Sequence, residues 1–269
     1  MMQLDPVAPG VTPDLSDATA RYGGKLPDKD EMRERLDSLG KRMDELQTTL
    51  FAESKRAVLI VLQGRDGSGK DSTIRRVFGA LDPQGCTITG FKVPSPLELS
   101  HDFLWRIHAA VPPKGLVGVF NRSHYEDVLV VRVHNLVPED VWQRRYQQIA
   151  SFEQHLTENG VTIRKFFLHV SKEEQRKRLE DRLDDPAKYW KFNPKDLGER
   201  QLWDDYTQAY QEALARTSTP EAPWYVVPAE RKLPRDVLMA QMVVDTLEGL
   251  GPKFPGPPEG LEQFRKELS

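Results

Sequence analysis

A chain of 269 residues, 38% hydrophobic and 29% charged, can form one large α/β domain with appendages or two small domains, and is long enough to bury a sizeable core. No apolar stretch approaches the ~20 residues that span a bilayer, the amino-terminal MMQLDPVAPGVTPDLSD lacks the basic and apolar regions of a signal peptide, and a single cysteine, Cys86, excludes a disulfide framework or a thiolate metal site. A net charge of -3 gives no global attraction for a polyanion, although Lys and Arg concentrate around residues 64–73 and in 164–200 while acidic residues dominate 28–53. A cytoplasmic protein without a membrane or nucleic-acid partner is expected.

Residues 1–28, rich in Pro, Asp, Gly and Thr, read as an extended arm on the surface or on a neighbouring subunit. A helix over 29–53 follows. Its apolar stripe, Met32, Leu36, Leu39, Met43, Leu46 and Leu50, must be covered either by the chain's own core or by a second copy. Ala57–Leu62 is an unbroken apolar run, as a parallel strand covered on both faces requires. The spacing then predicts a helix over 69–81, a strand over 86–93 ended by Pro94 and Pro96, a helix over 99–110 and a strand over 116–120. A helix over 138–160, a strand over 161–170 and a charged helix over 171–183 opened by Ser171-Lys172-Glu173-Glu174 come next. Residues 184–197 have no period. Helix 198–216, a short strand 224–227, helix 234–250 and a Gly/Pro-rich tail 251–269 complete the chain. Strands alternating with helices predict one parallel sheet over 29–250, with its active site at the carboxyl ends of the strands.

Gly64-Arg65-Asp66-Gly67-Ser68-Gly69-Lys70 has P-loop spacing between a strand and a helix: the glycines let backbone N–H groups face phosphate oxygens, and the lysine adds a point charge. Two residues depart from the usual loop. Asp71 stands where a Ser or Thr normally meets magnesium, and Asp66 lies inside the loop. A carboxylate among phosphates is repelled unless a metal bridges them; the alternative is that Asp66 caps the loop backbone.

The third strand leads into a second concentrated site, Asn121-Arg122-Ser123-His124-Tyr125-Glu126-Asp127. Arg122 is placed to grip phosphate bidentately or to pair with Asp66 or Asp127. Magnesium, which takes one or two carboxylates and keeps its other positions for phosphates and water, has Asp66, Glu126 and Asp127 as candidate ligands. Residues 171–200 read as a lid whose Arg176, Arg178, Arg182, Lys188 and Lys191 close over phosphates and exclude water, or as a solvated face. Tyr189, Trp190 and Phe192 either stack a base or anchor the loop. His124 is placed to orient the neighbouring carboxylates; the other five histidines lack metal-ligand spacing.

The loop GRDGSGKDST, the run FNRSHYEDVLVVRVHNL (120–136) and the segment RKRLEDRLDDPAKYWKFNPKDL together resemble the polyphosphate kinase 2 family, over about residues 30–250. The resemblance implies a P-loop kinase fold similar to thymidylate kinase, with a five-stranded parallel sheet flanked by helices and a helical lid at about 171–200. It implies Mg2+ as cofactor and transfer of a terminal phosphate between inorganic polyphosphate and nucleotides: AMP, ADP and ATP, with guanine equivalents as further candidates. Asp66, Lys70, Arg122 and Asp127 are then the expected catalytic residues. Phosphate and nucleotide contacts are expected from Gly64, Arg65, Gly67, Ser68, Gly69, Asp71 and Ser72. Asn121, Glu126, Arg132, Arg178 and Arg182 complete that set. Many members carry Asp where Asn121 stands, which shifts the carboxylate to Glu126 or Asp127, and the EDV variant is similar to the subgroup accepting both mono- and diphosphates. A homodimer or homotetramer is expected.

Two other readings stay open. An ATP-dependent nucleotide or nucleoside kinase would use ATP and not polyphosphate; a P-loop regulatory switch would bind nucleotide without transfer, and the chain lacks the N-K-x-D guanine signature of such switches.

Overall fold

Five parallel strands, β1 (Ala57–Gln63), β2 (Cys86–Gly90), β3 (Val117–Asn121), β4 (Val161–His169) and β5 (Trp224–Pro228), form one sheet in the order β2-β3-β1-β4-β5. The computed structural model describes residues 2–268, and these five are the strands among them. β1 lies at the centre and is buried throughout because its alternate residues feed two cores. Val58, Ile60 and Leu62 face α1 (Lys29–Glu53), α2 (Lys70–Val77) and α10 (Lys232–Leu250). Ala57, Leu59 and Val61 face the side formed by α6 (Glu139–Glu158) and α9 (Trp203–Thr217). Short helices α3 (Pro96–Leu99), α4 (Trp105–Ala109) and α5 (Val130–Val133) lie in the connections. The segment after β4 contributes α7 (Lys172–Asp184), a 3-10 turn over Pro186–Lys191 and α8 (Lys195–Gln201), and α11 (Leu261–Leu268) is the last helix among the described residues.

The order of the strands positions the site. β1 pairs with β3 on one side, Leu62 opposite Asn121, and with β4 on the other, Gln63 opposite Phe167. The loops leaving β1, β3 and β4 therefore emerge side by side, where connections depart to opposite halves of the sheet. The Arg122 amide donates to the Leu62 carbonyl at 3.0 Å, extending the β1–β3 ladder into the turn that follows β3.

The structure decides between some of these expectations and changes others. The stripe on α1 is spent inside the molecule: Met32, Leu39, Met43, Leu46 and Leu50 are buried, in one core with α10, and so offer no surface to a second copy. The amino-terminal arm lies on this chain's own sheet edge. Val7 N–H donates to the Trp224 carbonyl at 2.8 Å, Pro6 bridges Tyr225 in antiparallel sense, and Met2, Leu4 and Leu15 are buried. β2 stops at Gly90 and not 93, because its partner β3 ends opposite it at Asn121. The helix expected over 99–110 divides in two: Ser95 and Glu98 form a capping box that starts α3 early, and the Asp102 carboxylate accepts the Leu104 amide before α4. The aperiodic 184–197 contains the 3-10 turn and the start of α8, and the tail carries α11. Among the described residues no helix is long and apolar enough to cross a membrane.

Candidate active site

The loop between β1 and α2 wraps as the glycine spacing requires. Gly69, the N-cap of α2, has φ 102°, a left-handed value that disfavours any residue with a Cβ. Lys70 is buried with its Nζ turned back to the carbonyls of Gly64 (2.5 Å) and Arg65 (3.2 Å). Burial lowers its pKa, and Asp66 opposes that shift.

Asp66 meets Arg122 across the strand ends: Nη2 donates to Oδ1 at 2.5 Å. Arg122 Nη1 donates to Glu126 Oε2 at 3.4 Å, so one guanidinium lies between two carboxylates, at a backbone φ of 62° unusual for a non-glycine residue. Electrostatics divides the two acids. Burial alone would raise Asp66, but the charges of Lys70 and Arg122 outweigh it and hold its pKa below the ordinary carboxylate value. Glu126 is pushed up because its burial exceeds the help it receives from Arg122 and Lys70.

Asp127 does not join them. Its Oδ1 accepts from Arg145 Nη1 at 3.0 Å, and burial raises its pKa to about 6 against the opposing charges of Arg145 and Arg106. The cause is local geometry: residues 124–127 form a 3-10 turn, in which neighbours point about 120° apart, so Glu126 and Asp127 cannot both face the loop. Of the three carboxylates expected as metal ligands, Asp66 and Glu126 thus flank Arg122 while Asp127 faces Arg145, and among the described residues no group of three or more His, Cys, Asp or Glu is placed to hold a metal ion.

Other expected residues are bonded to protein. Arg178 donates to the carbonyls of Gly67, Ser68, Ala229 and Glu230 at 2.7–3.0 Å and binds the Glu174 carboxylate, clamping the P-loop to the chain after β5. Arg182 pairs with Asp196 at 3.0 Å. Arg132 pairs with Glu212 at 2.5 Å and lies over Trp142, away from the loop. Asn121 Nδ2 donates to Asp71 Oδ1 at 2.7 Å, joining the β3 end to the start of α2. Arg65 stacks on Trp203, 3.8 Å from the ring centroid, and burial lowers its pKa to about 10. His124 is buried against Glu153 and hydrogen-bonds neither site carboxylate.

Two spaces converge on Asp66 and Arg122. A narrow one of about 40 Å³ is walled by Arg65, Glu126, Glu199, Trp203, Tyr206 and Tyr210. A broad cleft of about 960 Å³ runs past Lys70, Ser72 and Asn121 to the lid. Arg75, Arg76, Lys92, Arg178, Arg182, Lys188, Lys191 and Lys232 all line it, against only Asp66, Asp71, Asp181 and Asp196. Trp190 is 79% exposed on its lid wall.

Sequence reading missed Arg235, which is fully buried on α10, bound to Asp236 at 2.6 and 2.8 Å, and donates from Nη2 to Ser72 Oγ at 3.1 Å. Its only signal was an Arg-Asp pair immediately before the apolar run Val237–Ala240 of α10. The wall of Trp203, Tyr206 and Tyr210 was also missed, although the spacing of three and four marks one face of a helix.

A family model for polyphosphate kinase 2 matches residues 26–255. The chain is 50% identical over 251 residues to an AMP/ADP-polyphosphate phosphotransferase from Meiothermus ruber, covering 93% of this chain and 92% of that protein. It is 45% identical over 252 residues to an ADP-polyphosphate phosphotransferase from Rhodopseudomonas palustris, covering 89% and 86%. The crystal structure of polyphosphate kinase 2 from Arthrobacter aurescens TC1 superposes with a TM-score of 0.88 at 45% identity, covering 91% and 88%. With the P-loop, the Arg122 turn and the lid all inside the matched span, the chain belongs to the polyphosphate kinase 2 family.

Proposed function

We propose that the chain transfers the terminal phosphate of inorganic polyphosphate to AMP and ADP, reversibly and with Mg2+. The observation that carries this reading is the meeting of two spaces at Asp66 and Arg122, one of them a long cleft lined by cations along both the P-loop and the lid. A phosphate chain is a linear polyanion and needs such a track, and phosphoryl transfer needs positioning and positive charge more than covalent help from the protein. The names of the two relatives support the same substrates, and the relative from Meiothermus ruber supports both acceptors.

The acceptor's terminal phosphate is largely ionised at neutral pH, its second pKa lying near ~6, so no general base is required. Its oxygen attacks the terminal phosphorus of the chain in line; a new P–O–P bond forms as the terminal anhydride bond of the donor breaks, and the donor leaves one phosphate shorter. Arg122, held between Asp66 and Glu126, is positioned to contact the transferring group. Lys70 exchanges two loop carbonyls for phosphate oxygens. Asp66 and Glu126 supply the hard oxygen donors suited to Mg2+, which needs only one or two carboxylates alongside phosphates. When bound, the ion neutralises charge between the two polyanions. The lid arginines and lysines exclude water, which otherwise competes as acceptor.

Cytoplasmic residence is proposed alongside. The proposed homodimer or homotetramer uses the exposed apolar side chains Ile88, Val93, Leu97 and Leu99 near the β2 edge, since the α1 stripe is buried; sedimentation velocity tests it. The reaction is tested by incubating the protein with Mg2+, polyphosphate and AMP, and separating nucleotides by chromatography. ADP and then ATP are expected. Transfer from ATP alone would establish the ATP-dependent kinase instead, and nucleotide binding without any transfer would establish a switch.

A further inference from the structure

Directly beneath the Arg122 turn lies a cluster of polar side chains that no step above uses. Glu153 on α6 and Lys165 on β4 are buried to 2% exposure or less, and Lys165 Nζ donates to Glu153 Oε2 at 2.5 Å. Nζ also donates to the Tyr125 hydroxyl (2.9 Å) and the Thr217 carbonyl (2.7 Å). Three acceptors match the three protons of an ammonium group. Glu153 in turn receives the Tyr125 hydroxyl at 2.8 Å and His124 Nε2 at 3.1 Å on Oε1. The His124 tautomer that donates from Nε2 leaves Nδ1 as a bare acceptor, and Nδ1 is the ring atom without a partner.

His124 and Tyr125 are the second and third residues after Arg122, and they form the turn that also presents Glu126. The turn needs an anchor. Arg122 has a left-handed backbone φ of 62°, a strained value that persists only where the surroundings over-determine it. Upstream it is held by the Leu62 carbonyl at the end of β1. Downstream, Ser123 accepts from Gln63 Nε2 and the Tyr125 amide, both at 3.2 Å, and the rings of His124 and Tyr125 insert into the Glu153–Lys165 pair. A buried ion pair is a poor source of stability, since apolar residues of the same volume serve as well or better, but it fixes geometry.

The geometry points to Glu153, Lys165 and Tyr125 as positioning residues for phosphotransfer: together they lock the turn so that Arg122 and Glu126 face Asp66. This rests on the role given to Arg122 above. None of the three lines the cleft, so none touches substrate.

Two sets of variants test it. The pair Glu153→Gln with Lys165→Met removes both charges while keeping volume, and Tyr125→Phe removes a single hydroxyl from a fully buried ring. With cooperative unfolding retained, Tyr125→Phe is expected to lower kcat by about 10- to 100-fold, the loss typical of a misplacement near 1 Å. KM for polyphosphate and for nucleotide should stay within about twofold, because the cleft is untouched. In an Arg122→Ala background Tyr125→Phe should cost clearly less than in the wild type, since much of its effect is delivered through Arg122. An additive loss in that background, or unchanged kcat in Tyr125→Phe, overturns the assignment even where the charge pair fails to fold. A crystal structure of Tyr125→Phe reads the turn without reference to any reaction: Arg122 Nη2 is expected to move about 1 Å or more from Asp66, and an unmoved guanidinium overturns the assignment whatever the substrate proves to be.

Discussion

Gly69→Ala tests how the P-loop is built. A Cβ at this position would lie 2.2 Å from Arg235 Nη1 and 3.2 Å from Ser72 Oγ, on a backbone with φ +102°. The torsion alone costs about 1–2 kcal/mol for a residue with a Cβ. Relief requires the guanidinium to withdraw by more than about 1 Å to reach ordinary contact distance. Arg235 has no solvent to withdraw into and is bound to Asp236 through Nε and Nη2, so the movement strains a buried ion pair whose full rupture costs about 3–5 kcal/mol. The expected destabilisation is about 2–5 kcal/mol, a large part of the ~5–15 kcal/mol that holds a domain folded. Urea unfolding followed by tryptophan fluorescence reads it as a lower midpoint at unchanged slope. Gly79→Ala, with nothing within 4 Å of its Cβ and no left-handed φ, is the control and should fall within ~0.5 kcal/mol of wild type. A Gly69→Ala midpoint equal to that of the control would refute the claim that the left-handed φ and the buried Arg235 leave no room for a Cβ at Gly69.

Three further outcomes follow from the site. Asp66→Asn and Glu126→Gln should each lower kcat about 100-fold or more, whereas Asp127→Asn, which keeps an acceptor for Arg145, should lie within about tenfold of wild type; equal losses in all three would return Asp127 to the site. Asp127 also has a stability signature. Its folded pKa of about 6 lies above the ordinary 3.8, so the stability it contributes is full below about 3.8 and is lost as pH rises through about 6. Wild type should therefore lose up to about 3 kcal/mol relative to Asp127→Asn between pH 4 and 7 in denaturant titrations, and parallel profiles would refute the buried environment assigned to it. Finally, KM for polyphosphate should rise steeply with added NaCl while KM for AMP responds less, since the chain displaces counterions along a cationic track; equal salt slopes would count against the long cleft as its site.

Much of this was legible because it depends on local physics. The apolar run of β1 could only be a strand buried on both faces, and GRDGSGKD could hardly be anything but a phosphate loop at its end. Alternation of strands and helices then brought Gly64–Lys70 and Arg122 together without further information. What stayed hidden depends on direction or distance. Glu126 and Asp127 are indistinguishable by charge and are separated only by the 120° step of a 3-10 turn. Arg178 has the charge of a lid arginine, but its place in α7 turns it onto loop carbonyls. Arg235 reaches Ser72 across 163 residues, and Lys165 hid within a strand because, next to Arg164 in VTIRKFFLHV, it carries no sign of burial until the partner helix supplies Glu153. The α1 stripe announced that something must cover it but carried no record that α10 does so.

The account stands on the identity of the phosphate donor. Phosphorus NMR of the protein with Mg2+, long-chain polyphosphate and ADP, with no ATP added, tests it most directly. The predicted result is growth of a γ-phosphate signal matched by ADP loss and shortening of the polyphosphate, absent in Lys70→Ala. No γ-phosphate from polyphosphate, under conditions where the same protein phosphorylates an acceptor from ATP, would contradict it.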